Sequence, residues 1–448
     1  MNEEEFIKKY IGTAVKNSTI KQEHYSKYNV KRGLRNSDGS GVLVGLTQIG
    51  DVHGYIIDEN ETVPVEGSLR YRGLEIKDIV EGFQKEGRFG FEEVSFLLLF
   101  GKLPNVQEYN EFTQILGGKR LLPKNFKEDV ILNTPGNNIM NKLARSVLAI
   151  YSLDENPEDN SIENVLRQSI NLIALFSTMV VYSYQAKKHY FDGGSLFLHP
   201  PQPELSTAEN ILYLLRKDSK YTKLETELLD MSLVLHAEHG GGNNSSFSIH
   251  VVSSSSTDTY SAIAAAIGSL KGARHGGANI KVMKMMTDIK AHVKNWTDTE
   301  EVSQYLIKIL NKKAFDQSGL IYGIGHAVYT LSDPRAVLFK EQAARLAREK
   351  GLENEFNLYC LVAELAPALF QKEKSSTKAV SANVDFYSGF VYSMLGIPAE
   401  LFTPIFAVAR ISGWCAHRIE EILAGGRIIR PAYKAVSKKE QYLPMKER

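Results

Sequence analysis

Residues 168–186, QSINLIALFSTMVVYSYQA, run for nineteen positions without a charge, between Arg167 and the pair Lys187-Lys188. A helix of that length reaches across a bilayer. It also suits the all-round buried helix at the centre of a large helical protein. The run contains Gln168, Ser169, Asn171, Ser177, Thr178, Ser183 and Gln185, and no second run like it exists in the chain. We therefore read it as a core helix, with no membrane partner, around which other helices must pack.

The chain is 448 residues long, a length that suggests two or three domains. Its formal net charge of +1 gives no reason to expect nucleic acid as a partner. Cys360 and Cys415 lie too far apart to suggest a disulfide framework or a thiolate metal site. The start, MNEEEFIKKY, is acidic, unlike a secretory signal or an Arg-rich transit peptide. Together these point to a cytoplasmic, reducing setting.

Helical spacing dominates from Leu74 onward. Glu92 and Glu93 open FEEVSFLLLFGKLP, which Gly101 and Pro104 close. Ser206 and Glu209 form a capping-box pattern. Asp333 and Pro334 suit the N-cap and first position of a helix that Gly351 ends. Apolar residues at 401, 405, 408, 411, 415, 419 and 423 form one stripe, and Gly425-Gly426 follow it. The one clear β signal is GYIIDENETVPV, a strand–turn–strand pattern. The first forty residues are polar and end in the loop-like RNSDGSG. The expected fold is mainly α with a small N-terminal β-hairpin.

No GxGxxG, P-loop, GxSxG or HExxH motif is present. His236 and His239 share a helical spacing but have no third ligand nearby, so no metal is expected. Three stretches instead pair a titratable side chain with small residues: LHAEHGGGNNSSF with KGARHGGAN, YGIGHAVYTLSDPR, and NVDFYSG. They offer His275, His326 and Asp385. A carboxylate desolvated by neighbours such as Phe386 is a stronger base. A neutral imidazole can donate to a developing enolate oxygen, and a second can protonate a carbonyl under attack. That equipment suits carbon–carbon condensation between a carbon acid and a ketone. The alternative is that the glycines are helix caps and the histidines are satisfied locally.

Three arginines suggest the substrate. Arg335 sits in the first turn of a helix, where a cation is disfavoured unless an anion is near. Arg410 interrupts the apolar IFAVARISGW, where a guanidinium is costly without a carboxylate. Arg430 follows the helix break in GGRIIRPAY. Bidentate arginine contacts suit a dicarboxylate.

These stretches, in this order, resemble the signature blocks of the citrate synthase family, and LRYRGLEIKDIV and FEEVSFLLLFGKLP resemble its N-terminal blocks. The likeness runs from about residue 44 to about 434. It implies a two-domain helical homodimer. Residues 1–276 and 388–448 would form the large domain, and 277–387 a small domain that closes over substrate. It implies condensation of acetyl-CoA with oxaloacetate to citryl-CoA, then hydrolysis to citrate and CoA, with no cofactor beyond that co-substrate. By the same resemblance, Asp385 takes the methyl proton, His275 holds the thioester oxygen, and His326 donates to the oxaloacetate carbonyl. His239, Arg335 and Arg410 bind oxaloacetate, and Arg430 reaches into the other subunit's site. Gly323, Ile324 and Gly325 form the CoA-contacting loop, with Lys378 and Asn383 as further CoA contacts.

Gly240 follows His239 where many members carry an acid, which raises the question of loop rigidity. Arg274 places an unexpected charge beside His275. A 2-methylcitrate synthase using propionyl-CoA shares all these residues. A citryl-CoA lyase-type module or a non-catalytic scaffold are further alternatives.

Overall fold

A computed structural model describes residues 1–36, 40–58, 61–375, 379–425 and 427–447. By compactness, residues 1–46 with 430–448 form one unit and residues 47–429 another. The terminal unit carries α1 (Glu3–Ser18) and α2 (Gln22–Lys27). α1 opens with a capping box in which Asn2 and Glu5 satisfy each other's backbone N–H groups. The polar composition of this segment had hidden a helix.

In the main unit β1 (Gly50–Asp58) and β2 (Glu61–Tyr71) form the expected antiparallel hairpin, with Asp58 opposite Glu61. A short β3 (Leu74–Glu75), not anticipated from sequence, adds a third strand against β2. The helices follow in order. α3 is Ile76–Lys85, α4 Phe91–Phe100, α5 Val106–Gly118, α6 Ile139–Tyr151, α7 Ile162–Asp192, α8 Thr207–Leu215 and α9 Lys223–His236. Then come α10 (Asn244–Ser253), α11 (Thr259–Lys271), α12 (Ala278–His292), α13 (Thr299–Leu310), α14 (Pro334–Glu349), α15 (Glu353–Lys374), α16 (Val384–Met394) and α17 (Phe402–Leu423).

The uncharged run lies inside α7, buried in the protein. Several of its polar side chains are satisfied by protein, while Ser177 Oγ and Gln185 Oε1 are buried without a partner. Ser169 and Ser183 donate to carbonyls one turn back, Gln185 donates to the Leu215 carbonyl and Thr178 to that of Arg120. α17 is the hub of the core, packed against α4, α7, α9, α10 and α11. Ile405, Val408, Ile411 and Cys415 of its stripe are buried, as is Trp414 beside them. Each such aliphatic or aromatic side chain contributes about 1.5–3 kcal/mol. On the other side, α12 and α14 both pack on α16, and α13 packs on α15.

The caps read from sequence are in place: Ser206 with Glu209 at α8, Asp333 with Pro334 at α14, and left-handed Gly101 after α4. The first-turn acids of α4 have a second use. Glu92 is buried, accepts from the Thr207 backbone N–H at 2.7 Å and pairs with Arg120 at 3.4 Å, tying α4 to the start of α8. Both cysteines are free, Cys415 buried and Cys360 half-buried.

The sheet positions the segments that matter for chemistry. The buried Tyr71 hydroxyl at the end of β2 lies 3.0 Å from the Val234 carbonyl and accepts from the Glu238 N–H at 3.3 Å. A Cβ at Gly54 would lie 2.7 Å from the Val328 carbonyl oxygen, and one at Gly67 2.2 Å from that of Ser332. The hairpin thus lies directly against the 326–333 loop.

Candidate active site

The segment 236–243 leaves α9 and turns sharply before α10. Gly240 takes φ +80°, a conformation costly for any side chain, and its N–H donates to the Glu238 carboxylate. A glycine where the family often has an acid is therefore held rigidly, which answers the question of loop rigidity. His239 emerges here with Nε2 shut off from solvent and unpaired. Burial, then Arg335, His326 and Arg410, hold its pKa well below the ordinary value, so the ring is neutral.

His326 comes from the loop between α13 and α14. Its ring stacks on Tyr329 at 4.8 Å and meets His239 edge-on at 5.3 Å. Its Nδ1 accepts the backbone N–H groups of Val328 and Tyr329, each at 3.1 Å. A ring nitrogen that accepts carries no proton, so the proton of neutral His326 sits on Nε2.

Asp333 caps α14 and grips Arg335 two residues on, with Nε at 3.0 Å and Nη2 at 2.8 Å from its two oxygens. Burial opposes the Arg335 charge, but the Asp333 carboxylate more than compensates and raises its pKa. The anion that explains Arg335 in a first helical turn is thus in part the chain's own. Beyond the cap expected from sequence, Asp333 is thus a partner of Arg335, a role that its spacing of two from the arginine signals. The same carboxylate accepts the Val384 N–H at 3.1 Å and so joins the starts of α14 and α16.

Asp385 lies in the first turn of α16, after the N-cap Asn383. Desolvation is the main influence on its carboxyl, with Arg335 and Arg410 acting against it, and the pKa rises to about 6. Asn383 also organises the neighbouring loop. Its Nδ2 donates to the Gly325 carbonyl at 2.8 Å, its N–H donates to that of Gly323 at 2.8 Å, and Ile324 pairs with Ala382. The predicted Gly323, Ile324, Gly325 and Asn383 therefore form one unit. Gly323 has φ +78°, and a Cβ there would sit 3.0 Å from the Phe386 Cα. Lys378 lies outside the described residues.

His275 follows α11. Burial, and then Arg410, lower its pKa to about 4, so the ring is neutral. Its Nε2 lies 3.4 Å from the Ser245 hydroxyl, which accepts from Trp414 Nε1 at 3.0 Å. When that hydroxyl turns its proton toward His275, Nδ1 becomes the ring's donor. The flanking glycines do not simply clear room for a ligand. A Cβ at Gly276 would meet the Leu270 carbonyl oxygen at 2.3 Å and Thr403 Cγ2 at 2.7 Å, so Gly276 is there for close packing. Gly276→Ala is expected to lower stability by about 1–3 kcal/mol, read by denaturant unfolding. Arg274 is exposed.

Arg410, in the middle of α17, is fully buried. Nε donates to the His236 carbonyl at 2.6 Å, but Nη1 and Nη2 have no protein partner. Burial lowers its pKa to about 10, and Glu238 works in the opposite direction. A buried guanidinium with one edge unused is a site for an anion. Its influence on His239, His275 and Asp385 places it among them. Arg430 belongs to the terminal unit and is exposed.

A buried base, a neutral imidazole aimed to donate and an unsatisfied guanidinium form one constellation, and residues 38–432 match the family model "Citrate synthase, C-terminal domain". The chain belongs to the citrate synthase family. A citrate synthase of Deinococcus radiodurans is 34% identical, over 86% of this chain and 93% of its own. A 2-methylcitrate synthase of Shewanella oneidensis is 32% identical, over 83% and 89%. The solved citrate synthase of Pyrobaculum aerophilum superposes with a TM-score of 0.74 at 29% identity, over 91% of this chain and 94% of that one. The mainly α citrate synthase fold and an acyltransferase activity follow from this membership.

Proposed function

We propose that this site condenses acetyl-CoA with oxaloacetate and hydrolyses the resulting citryl-CoA to citrate and CoA. The observation that carries the reading is the buried Arg410 guanidinium with both terminal nitrogens unpaired. One carboxylate of oxaloacetate would take that edge in a bidentate contact. Arg335, already anchored by Asp333, and neutral His239 would hold the rest of the molecule. Binding of carboxymethyl-CoA and oxaloacetate by the citrate synthase of Thermoplasma acidophilum accords with this substrate pair.

In the first step Asp385 takes a methyl proton while a His275 N–H steadies the thioester oxygen as the enol forms. The enol carbon then attacks the oxaloacetate carbonyl, and the Nε2 proton of His326 passes to the oxygen that becomes the alcohol. Two neutral imidazoles serve here because each must donate one proton without presenting a full charge to its neighbour. The 323–325 loop with Asn383, and Lys378, would contact CoA. Residues 277–387 would move as a small domain toward 1–276 and 388–448. In a homodimer, Arg430 of the partner subunit would complete the oxaloacetate site. We place the enzyme in the cytoplasm.

Release of free CoA thiol from oxaloacetate with acetyl-CoA or propionyl-CoA tests the reading. No thiol from either thioester would overturn it. A larger kcat/KM for propionyl-CoA would make the activity that of a 2-methylcitrate synthase, the reading that the Shewanella relative keeps alive. A pocket distinguishes one methylene by only about 1–3 kcal/mol, so direct comparison of the two is needed.

The pH dependence follows from the base. Asp385 must be ionised, and its pKa is raised to about 6. We expect kcat/KM to fall about tenfold per unit below pH 6. His275, titrating near 4, should add no limb between pH 5 and 8. A flat profile down to pH 5 would remove Asp385 from the role of base.

A further inference from the structure

Behind the 239–243 loop two histidines from different helices face each other. Nε2 of His250, on α10, lies 3.1 Å from Nδ1 of His417, on α17. The far nitrogen of each ring faces a carboxylate: His250 Nδ1 is 2.7 Å from Glu421 Oε2, and His417 Nε2 is 3.0 Å from Glu238 Oε1. An ionised carboxylate only accepts, so each far nitrogen carries the N–H of its ring. The two facing nitrogens of neutral rings then both present lone pairs. At 3.1 Å such a pair is held together only by a positive centre between them.

A third donor stands beside them. Glu420 Oε2 is buried, lies 3.8 Å from His417 Nδ1 and has no hydrogen-bond partner, while its other oxygen accepts the Gln48 N–H at 2.7 Å. The three donor atoms all lie within 4.8 Å of one another. Gly241 leaves room above them: a Cβ there would be 3.5 Å from His250 Nε2 and 3.9 Å from His417 Nδ1.

We propose that His250, His417 and Glu420 bind a divalent first-row transition-metal ion of the Zn²⁺ type. Two imidazoles and one carboxylate suit that ion, and the space beside Gly241 can hold a water as fourth ligand. Both imidazoles already have the carboxylate behind them that metal-bound histidines characteristically use. A cavity of about 160 Å³ lies next to the outer carboxylate Glu421, with Arg418 and Ser253 in its wall. Binding displaces the shared proton to solvent. The ion would pin α10 to α17, the helix that carries Arg410, and takes no part in the reaction proposed above.

The sequence predicts no metal because His236 and His239 are the only histidines it places at a helical spacing, without a third ligand beside them. His250 and His417 are 167 positions apart.

The test uses the full-length protein after chelator treatment, titrated with Co²⁺ by visible spectroscopy and with Zn²⁺ by calorimetry. We expect one ion per chain at micromolar affinity or tighter, ligand-field bands of nitrogen-bound Co²⁺, and no competition from Mg²⁺. His250→Gln should abolish these bands. Glu421→Gln, which removes only an outer partner, should weaken binding about 10–100-fold. Zn²⁺ should raise the melting temperature of the wild type and not that of His250→Gln. Absence of saturable Co²⁺ binding by the wild type would overturn the proposal. So would unchanged affinity in Glu421→Gln, a partly exposed position whose variant should fold even if His250→Gln does not.

Discussion

Asp385→Asn is expected to lower kcat by about 10³–10⁴-fold while the affinity for oxaloacetate changes by less than about threefold. The amide keeps the volume and polarity of the carboxylate at the start of α16, so the Asn383 cap and its contacts with the 323–325 loop should persist. What disappears is the carboxylate base that the proposed mechanism assigns to the carbon-bound proton, while His275 and His326 serve as donors. The same change carries a stability signature of opposite sign. The folded carboxyl titrates near 6, above its ordinary 3.8, because burial disfavours its charge. Between those two values the folded state binds more protons than the unfolded state, so stability falls as pH rises through the window. Above pH 6 the full deficit is present, and an uncharged amide escapes it. Asp385→Asn should therefore be more stable than wild type at pH 8, by up to about 3 kcal/mol in denaturant unfolding, and the gain should shrink toward pH 4. An inactive variant that is also less stable at pH 8 would show a structural role instead.

Three kinds of information differ in how far they could be read from the chain. His275, His326 and Asp385 stand out in the sequence because each lies in a short block with glycines or a cap whose local geometry is nearly self-sufficient. Arg410 stands out because a guanidinium inside the apolar IFAVARISGW is costly without a carboxylate partner. The pairing of Asp333 with Arg335 was missed because the N-cap role already accounted for Asp333, and a carboxylate can do both. The packing at Gly276 is hidden for a related reason: composition shows that a side chain is absent but not what fills the space, here the Leu270 carbonyl and Thr403. β3 is two residues long, too short for any period, and exists because β2 offers it an edge. α1 had its signal, Asn2 with Glu5, within a stretch judged by polarity alone. The His250–His417 pair was out of reach in principle, since only the packing of α10 on α17 brings it together.

Arg410→Met is expected to lower kcat/KM for oxaloacetate by about 10²–10⁴-fold without lowering the thermal stability of the ligand-free protein. Each charge-assisted hydrogen bond to a substrate carboxylate contributes about 1.5–3 kcal/mol, and Nη1 and Nη2 offer two. In the absence of substrate those same donors sit in the core unpaired, with Glu238 the main opposing charge and burial the stronger influence. A methionine of similar length fills the space beside Phe406, over whose ring the guanidinium now lies at 4.7 Å, and removes the desolvation cost. It gives up one bond, from Nε to the His236 carbonyl. The balance is an unchanged or raised melting temperature in the free enzyme. The substrate's contribution to that temperature should disappear as well: saturating oxaloacetate stabilises the wild type by mass action and should do nothing for the variant. Arg410→Lys separates charge from shape. An ammonium keeps the cation but cannot reach with two parallel donors, so its kcat/KM should fall between those of wild type and Met. A methionine variant that melts well below wild type yet still binds oxaloacetate would mean that the unpaired edge of Arg410 is satisfied within the protein and that the dicarboxylate is held elsewhere.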